Sequence, residues 1–253
     1  MTNPWFTKDR SETATNRMES RKLVPINGGY VLGDVEVMNP ALGINVYRRG
    51  LNPESCDKYI ETLENHLNGQ TQFEWSKAYV TNSDEVDTYA RNAQDFKISS
   101  KNLGPRTQEN EALYDMHEEI FRRLKSCIDD YGYYWGVGTN YYEAFNFVKY
   151  AGAGTHFRIH ADHGPTYVAT ISAVLYLNDN YEGGEIAFPR FDLELKPQKG
   201  DIVIFPSIFI YEHASKEMIE GTKYSVVVMT DYHDRDGVNQ RVSPVVEDYE
   251  LKY

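Results

Sequence analysis

Two residues with metal-binding side chains, His160 and Asp162, are separated only by Ala161. They fall within a predicted β-strand, 156–162. Because alternate residues of a strand point to the same side, we expect the imidazole and the carboxylate to lie next to each other. One further ligand would complete a facial set and leave three positions of an octahedral metal open. The pair alone is a weak motif, so its assignment depends on the residues that follow.

The third candidate ligand is His213, which comes after the predicted strand 201–206. Two imidazoles and one carboxylate with open positions are the ligand set of non-haem Fe(II) oxygenases, in which a bidentate oxoacid and O2 take the open positions. The other histidines near the pair, His156 and His163, are interpreted as polar residues of the rim.

A lysine follows the third candidate ligand. Lys223 begins the predicted strand 223–231, and Ser225 shares its face. An ammonium among apolar strand residues needs a counter-charge, because an unpaired buried charge is very costly. A dicarboxylate co-substrate would supply it. The alternative that the pattern leaves open is an exposed lysine on an edge strand.

The elements that must position these residues are mostly β-strands. From residue 141 to 231 the sequence is rich in β-branched and aromatic residues and is interrupted by turn signals. The predicted strands are 142–150, 156–162, 168–178, 186–189, 201–206 and 223–231. Short strands at such intervals predict a sandwich or a barrel.

Two amphipathic helices are predicted ahead of these strands. The first begins at Asn52-Pro53-Glu54, where Asn is a helix cap and Pro suits the first turn. The second runs from about 108 to 130. Its apolar stripe consists of Leu113, Met116, Ile120, Leu124 and Ile128.

The whole pattern predicts a mainly β domain over 29–232, with helical support in 52–131 and a catalytic β core in 140–232. Residues 1–28 are interpreted as a polar, disordered leader and 233–253 as a polar tail. Within the domain, the polar stretch 76–97 contains Tyr79, Tyr89, Arg91 and Asn92. It fits a mobile lid over the site or an ordinary surface loop, and the sequence leaves both open.

Composition narrows the class of protein. The formal net charge of −12 over 253 residues disfavours a general nucleic-acid binder. No apolar run approaches a membrane span. Two cysteines, Cys56 and Cys127, do not make a disulfide framework. We therefore expect a soluble protein of the cytoplasm or another intracellular compartment, with no membrane partner.

The segment from Tyr150 to Asp162, YAGAGTHFRIHAD, resembles the first metal-ligand segment of the prolyl 4-hydroxylase-like 2-oxoglutarate oxygenases. The resemblance covers about 145–231, roughly a third of the chain. It continues in order through YLND at 176–179, EGGEIAFP at 182–189, KPQKGDIVIF at 196–205, His213 and Lys223.

The resemblance implies a double-stranded β-helix, or jelly roll, with supporting N-terminal α-helices. It also implies that His160, Asp162 and His213 hold catalytic Fe(II), and that 2-oxoglutarate and O2 are co-substrates, with ascorbate as a reductant. The product would be a hydroxylated C–H bond, together with succinate and CO2.

The resemblance further implies which residues bind 2-oxoglutarate. Lys223 would pair with its distal carboxylate, and Tyr150 and Tyr176 would hydrogen-bond to it. Ser225 is added because it shares the face of Lys223. Hypoxia-type prolyl hydroxylases have Arg where this chain has Lys223, whereas the collagen and plant types have Lys, so the subgroup stays open.

Three hypotheses about the substrate remain. The first is a prolyl residue in a peptide or protein, and the second is a free amino acid or other small metabolite. The third is a jelly-roll binding protein without catalysis, against which the intact set of three ligands and Lys223 argues.

Overall fold

A computed structural model of the chain describes part of the sequence in detail. The described residues are 24–26, 29–66, 73–79, 86–164 and 168–232. Most of the predicted leader and the whole predicted tail lie outside these residues, as do 80–85 of the predicted lid stretch.

The described residues are mostly in β-strands. In chain order, the strands are β1 (Val24–Ile26), β2 (Gly29–Leu32), β3 (Val35–Ala41), β4 (Ile44–Arg48), β5 (Ser76–Lys77), β6 (Arg91–Asn92), β7 (Gln94–Ile98), β8 (Tyr141–Tyr142), β9 (Phe145–Ala151), β10 (His156–His160), β11 (Ile171–Tyr176), β12 (Glu182–Gly183), β13 (Ile186–Phe188), β14 (Leu193–Leu195), β15 (Ile202–Pro206), β16 (His213–Ser215), β17 (Met218–Glu220) and β18 (Thr222–Asp231). The α-helices are α1 (Pro53–His66), α2 (Ser100–Leu103) and α3 (Glu111–Trp135), and short 3₁₀ turns occupy Pro189–Phe191 and Phe209–Tyr211.

Two antiparallel sheets form the body of the protein. The larger sheet has the order β1-β2-β3-β4-β15-β11-β18-β9-β7-β5, with β8 paired to β18. The smaller sheet has the order β14-β13-β16-β10-β6, and β12 and β17 form a separate pair. The jelly-roll prediction, mainly β with supporting helices, is confirmed.

The central strands of the larger sheet are buried on both faces. Ala173, Ile204 and Val226 point to one face and join the core beneath the helices. Val174 and Phe205 point to the other face, where they pack with residues of β13 from the smaller sheet. This alternation explains why the sequence of these strands is almost continuously apolar. It also means that a polar side chain on the second face projects between the sheets.

The helices cover the first face. Asn52 caps α1 as predicted, since its Oδ1 accepts a hydrogen bond from the backbone N–H of Glu54 at 2.9 Å. All five members of the predicted apolar stripe in α3 are buried. This helix continues five residues beyond the predicted end, because Tyr131 and Trp135 bond to the main chain of Gly43 and to Asn45. None of the helices among the described residues is long and apolar enough to cross a membrane.

The predicted strand boundaries need two corrections near the site. The strand predicted over 156–162 ends at His160, and Asp162 lies in a bend. Strict strand alternation therefore does not place Asp162. In addition, β16 is only three residues long and was not predicted, although it begins with His213. Such a short strand carries too few residues to show a period of two.

A buried carboxylate ties α3 to the larger sheet. Asp130 accepts hydrogen bonds from the hydroxyls of Tyr30 at 2.6 Å and Tyr47 at 2.9 Å. All three residues are buried. We predict that Tyr47→Phe lowers the free energy of unfolding by about 1.5–3 kcal/mol, because a buried charged acceptor loses a donor. Urea denaturation measures this, with Tyr79→Phe, at a 57% exposed side chain, as the control. Equal stability of the two variants would contradict the prediction.

Candidate metal centre

Antiparallel pairing brings two histidines together. His160 ends β10 and His213 begins β16, and the two are direct partners in the register of these strands. Their ring centroids are 4.4 Å apart. Asp162, just beyond β10, completes a group of three residues whose ligand atoms all lie within 4.8 Å of one another. The three residues predicted to bind metal are thus brought to one place.

Both rings are oriented by the main chain. The Nδ1 of His160 lies 2.8 Å from the carbonyl oxygen of Arg158, and that of His213 lies 3.2 Å from the carbonyl oxygen of Tyr211. A carbonyl oxygen only accepts, so Nδ1 of each ring carries the proton and Nε2 keeps its lone pair. The Nε2 atoms lie 3.5 Å and 3.8 Å from the two oxygens of Asp162.

The carboxylate is held by the larger sheet. Ser172 on β11 donates a hydrogen bond of 2.6 Å to Oδ2 of Asp162, and it also bonds to Ser207 at 2.8 Å. Ser172 and Ser207 are buried. Outer hydrogen bonds of this kind fix the direction of a metal ligand. The sequence analysis missed both serines, since neither belongs to a recognisable motif.

The protonation states of His213 and Asp162 favour binding of a cation. Burial lowers the pKa of His213 to about 4, so its ring is neutral at pH 7. Burial opposes ionisation of Asp162, but His213, His160 and the bond from Ser172 outweigh it and lower the pKa of this carboxyl. A carboxylate oxygen and imidazole nitrogens are the donor set that suits iron(II).

Aromatic rings enclose the ligands. Phe157 stacks on His160 with centroids 3.6 Å apart, and Phe205 packs edge-on against His213 at 4.6 Å. These rings restrict how far the imidazoles can turn. The guanidinium of Arg91 also lies over the ring of Phe157, 4.9 Å from its centroid.

Lys223 is buried on the face of β18 that looks into the space between the sheets. Its Nζ donates hydrogen bonds to the carbonyl oxygen of Gly184 at 2.8 Å and to the hydroxyl of Ser215. It also lies 4.3 Å from the ring centroid of Tyr150. All of these partners are uncharged. Burial accordingly lowers the pKa of Lys223 to about 7, with Glu185 acting in the opposite direction.

The other residues predicted to bind the co-substrate lie around this lysine. Tyr150 on β9 is the direct cross-strand partner of Lys223, and Tyr176 on β11 is the direct partner of Ser225. All four side chains are buried. Burial raises the pKa of both phenols, which therefore keep their protons and can donate hydrogen bonds at neutral pH.

A polar rim lies beside the metal-binding group. Both His156 and Arg158 bond to the carbonyl oxygen of Tyr89, at 3.0 Å and 2.7 Å. His163 lies at the other end of β10, where its ring bonds to the carbonyl oxygen of Ala169 at 2.8 Å. Neither histidine joins the group of three ligands.

The described part of the predicted lid is anchored to the smaller sheet. β6 pairs with β10, with Arg91 opposite Phe157, and the guanidinium of Arg91 donates to the carbonyl oxygen of Tyr79 at 3.1 Å. The side chains of Tyr79 and Tyr89 are 57% and 70% exposed. The segment thus carries two exposed aromatic side chains and is joined to β10, the strand that ends at His160.

Comparison with solved structures gives the same fold. A viral collagen prolyl hydroxylase from Paramecium Bursaria Chlorella virus-1, in complex with 2OG, is 15% identical, with a TM-score of 0.53 over 76% of this chain and 97% of that one. A Trichoplax adhaerens prolyl hydroxylase, in complex with a hypoxia-inducible factor oxygen degradation domain peptide, is 16% identical, with a TM-score of 0.58 over 74% and 83%. A Pseudomonas putida prolyl-4-hydroxylase is 20% identical, with a TM-score of 0.52 over 74% and 92%.

Sequence comparison covers a smaller part of the chain than the structural comparison does. No curated protein sequence matches the chain. Residues 145–230 match the family model of the 2OG-Fe(II) oxygenase superfamily, and this segment contains the three candidate ligands and Lys223. Residues 145–230 are therefore similar to the 2OG-Fe(II) oxygenase superfamily, and the chain shares its fold with these prolyl hydroxylases.

Proposed function

We propose that the chain is an Fe(II)- and 2-oxoglutarate-dependent dioxygenase that hydroxylates a C–H bond of an organic substrate. The observation that carries the proposal is the presence of two features on the two sheets, joined by the contact between Ser215 and Lys223. One is the group of His160, Asp162 and His213, and the other is a buried lysine whose described partners are all uncharged. The first fits a divalent cation, and the second fits a carboxylate.

The three donors would hold the iron. Their Nε2 and carboxylate atoms converge, and each is oriented from outside by a carbonyl oxygen or a serine. Three protein ligands leave positions free for further ligands. When bound, Fe(II), 2-oxoglutarate and O2 supply the oxidation of the C–H bond and release succinate and CO2. We further propose ascorbate as the reductant that keeps the iron in the ferrous state.

Lys223 would pair with the distal carboxylate of 2-oxoglutarate. A buried ammonium gains most from an anion that is enclosed with it, because the surroundings screen their attraction weakly. Tyr150 and Tyr176 would donate hydrogen bonds to the same ligand, and Ser225 would contribute from the same face. The phenyl rings of Phe157 and Phe205 would limit the access of water to the metal.

We propose a prolyl residue in a peptide or protein as the substrate. The chain shares its fold with three prolyl hydroxylases at identities of 15–20%, and this shared fold is one support for the proposal. The exposed side chains of Tyr79 and Tyr89, on the segment that pairs with β10, offer a contact surface that suits an extended chain better than a small molecule. A free amino acid or another metabolite is the second candidate, and a non-catalytic role is disfavoured by the complete ligand set.

The proposed reaction predicts turnover without substrate. Purified protein with Fe(II), ascorbate and 2-oxoglutarate is expected to release succinate slowly, since the co-substrate can be consumed without its partner. Mass spectrometry of added proline-containing peptides and of amino-acid panels should then show a gain of one oxygen in one class. Reconstituted protein that neither binds 2-oxoglutarate nor releases succinate would refute the proposed function.

Removing one ligand should remove the metal. His160→Ala is expected to reduce bound Fe(II) at least tenfold, because only two protein ligands remain. His156→Ala is the matched control, since that ring lies on the same strand and bonds to the carbonyl oxygens of Gly154 and Tyr89. Metal analysis after gel filtration gives the comparison. Equal iron content in the two variants would count against the assignment.

Binding of 2-oxoglutarate should weaken as the pH rises. The pKa of Lys223 is lowered to about 7 in the ligand-free protein, so the side chain loses its charge above that pH. A dicarboxylate then binds together with a proton, and Kd rises by about tenfold per pH unit between pH 7.5 and 9. Calorimetry in two buffers of different ionisation enthalpy measures both quantities. Lys223→Arg should abolish the dependence, because Arg stays charged. A constant Kd for the wild type would contradict the prediction.

A further inference from the structure

Ser215 occupies a position between the metal-binding group and Lys223. It lies two residues after His213 in β16, so both side chains point to the same face of the strand. Two residues of a strand span about 7 Å. Any ligand that joins the metal to Lys223 therefore passes next to Ser215.

The hydroxyl of Ser215 connects two of the proposed co-substrate contacts. It accepts a hydrogen bond from Nζ of Lys223. It also bonds to the phenol of Tyr150, and this bond acts to lower the pKa of Tyr150 against the effect of burial. Because its lone pair serves the ammonium, the hydroxyl hydrogen is free to point at Tyr150. A carboxylate is a stronger acceptor than a phenol oxygen.

We propose that Ser215 is a further residue for binding the co-substrate, and that its hydroxyl donates a hydrogen bond to the distal carboxylate of 2-oxoglutarate while it still accepts one from Lys223. The inference rests on the proposed function. In the ligand-free protein Ser215 bonds to Lys223 and Tyr150, so the site keeps its shape. On binding, one neutral hydrogen bond is exchanged for a charge-assisted one.

Ser215 differs from Ser225, the serine expected from strand alternation. Ser225 lies on the larger sheet opposite Tyr176 and is 4% exposed. Ser215 lies on the smaller sheet, is only partly buried, and contacts the lysine directly. Its partner across the strand pair is Phe157, the residue that stacks on His160. Ser215 therefore lies between the ring that packs on a metal ligand and the lysine.

The test is calorimetry of the Mn(II)-loaded full chain without O2. Ser215→Ala is expected to raise Kd for 2-oxoglutarate about fivefold to tenfold, because a charge-assisted bond is lost from the complex and a neutral one from the free protein. The Kd for 2-oxobutyrate, which lacks the distal carboxylate, should not change. Ser215→Thr keeps the hydroxyl and should restore the wild-type Kd. Lys216→Ala is the matched control, since its side chain is exposed and pairs with Glu194.

The other outcomes distinguish failure of the Ser215 inference from failure of the proposed function. Unchanged affinity for 2-oxoglutarate in Ser215→Ala overturns the inference and leaves the proposed function intact. Equal losses for both oxoacids also overturn it, because the effect then comes through the metal. If wild-type protein binds no 2-oxoglutarate, the proposed function itself fails. Should the alanine variant not fold, Ser215→Cys, whose thiol is a weak donor, makes the same comparison.

Discussion

The charge of a buried ammonium is the constraint on which the arrangement of the site depends. Lys223 projects between the sheets because β18 alternates, and the residues on its other face, such as Val226, belong to the core beneath the helices. It cannot turn outward without moving that core. The surrounding carbonyl, hydroxyl and phenyl groups lessen the cost of its burial but do not neutralise it. A buried ammonium in such surroundings would gain from an anionic partner.

The two sheets contribute different residues to the site. The smaller sheet supplies His160 and His213 through one pair of strands, and the larger sheet supplies Lys223. Hydrogen bonds across the gap align them, with Ser172 of the larger sheet reaching Asp162 and Ser215 of the smaller sheet reaching Lys223. Because each sheet orients a group carried by the other, a shift between the sheets would disturb both the group of three candidate ligands and the surroundings of Lys223.

The sequence predicted the jelly-roll class and the two long helices, and it selected three side chains that the structure brings together. The prediction of the helices succeeded because their periodicity was long, as in α3. The sequence placed Asp162 in a strand, whereas the bend after β10 and the bond from Ser172 bring the carboxylate to the rings. It could not find β16 or the serines that orient the site, because a three-residue strand and a lone serine leave no pattern.

A lysine at position 223 can change its charge near neutral pH, whereas an arginine could not. Arg remains charged at any physiological pH, whereas a buried Lys can lose its proton near neutrality. Burial accordingly makes Lys223 lose its proton more readily than an exposed lysine does, and a carboxylate enclosed with it would favour the charged form. The negative charge of Glu185 acts against burial and favours the charged form of Lys223. Under the proposed function, protonation of Lys223 and binding of a dicarboxylate would be coupled equilibria, and Ser215 contacts Lys223 directly.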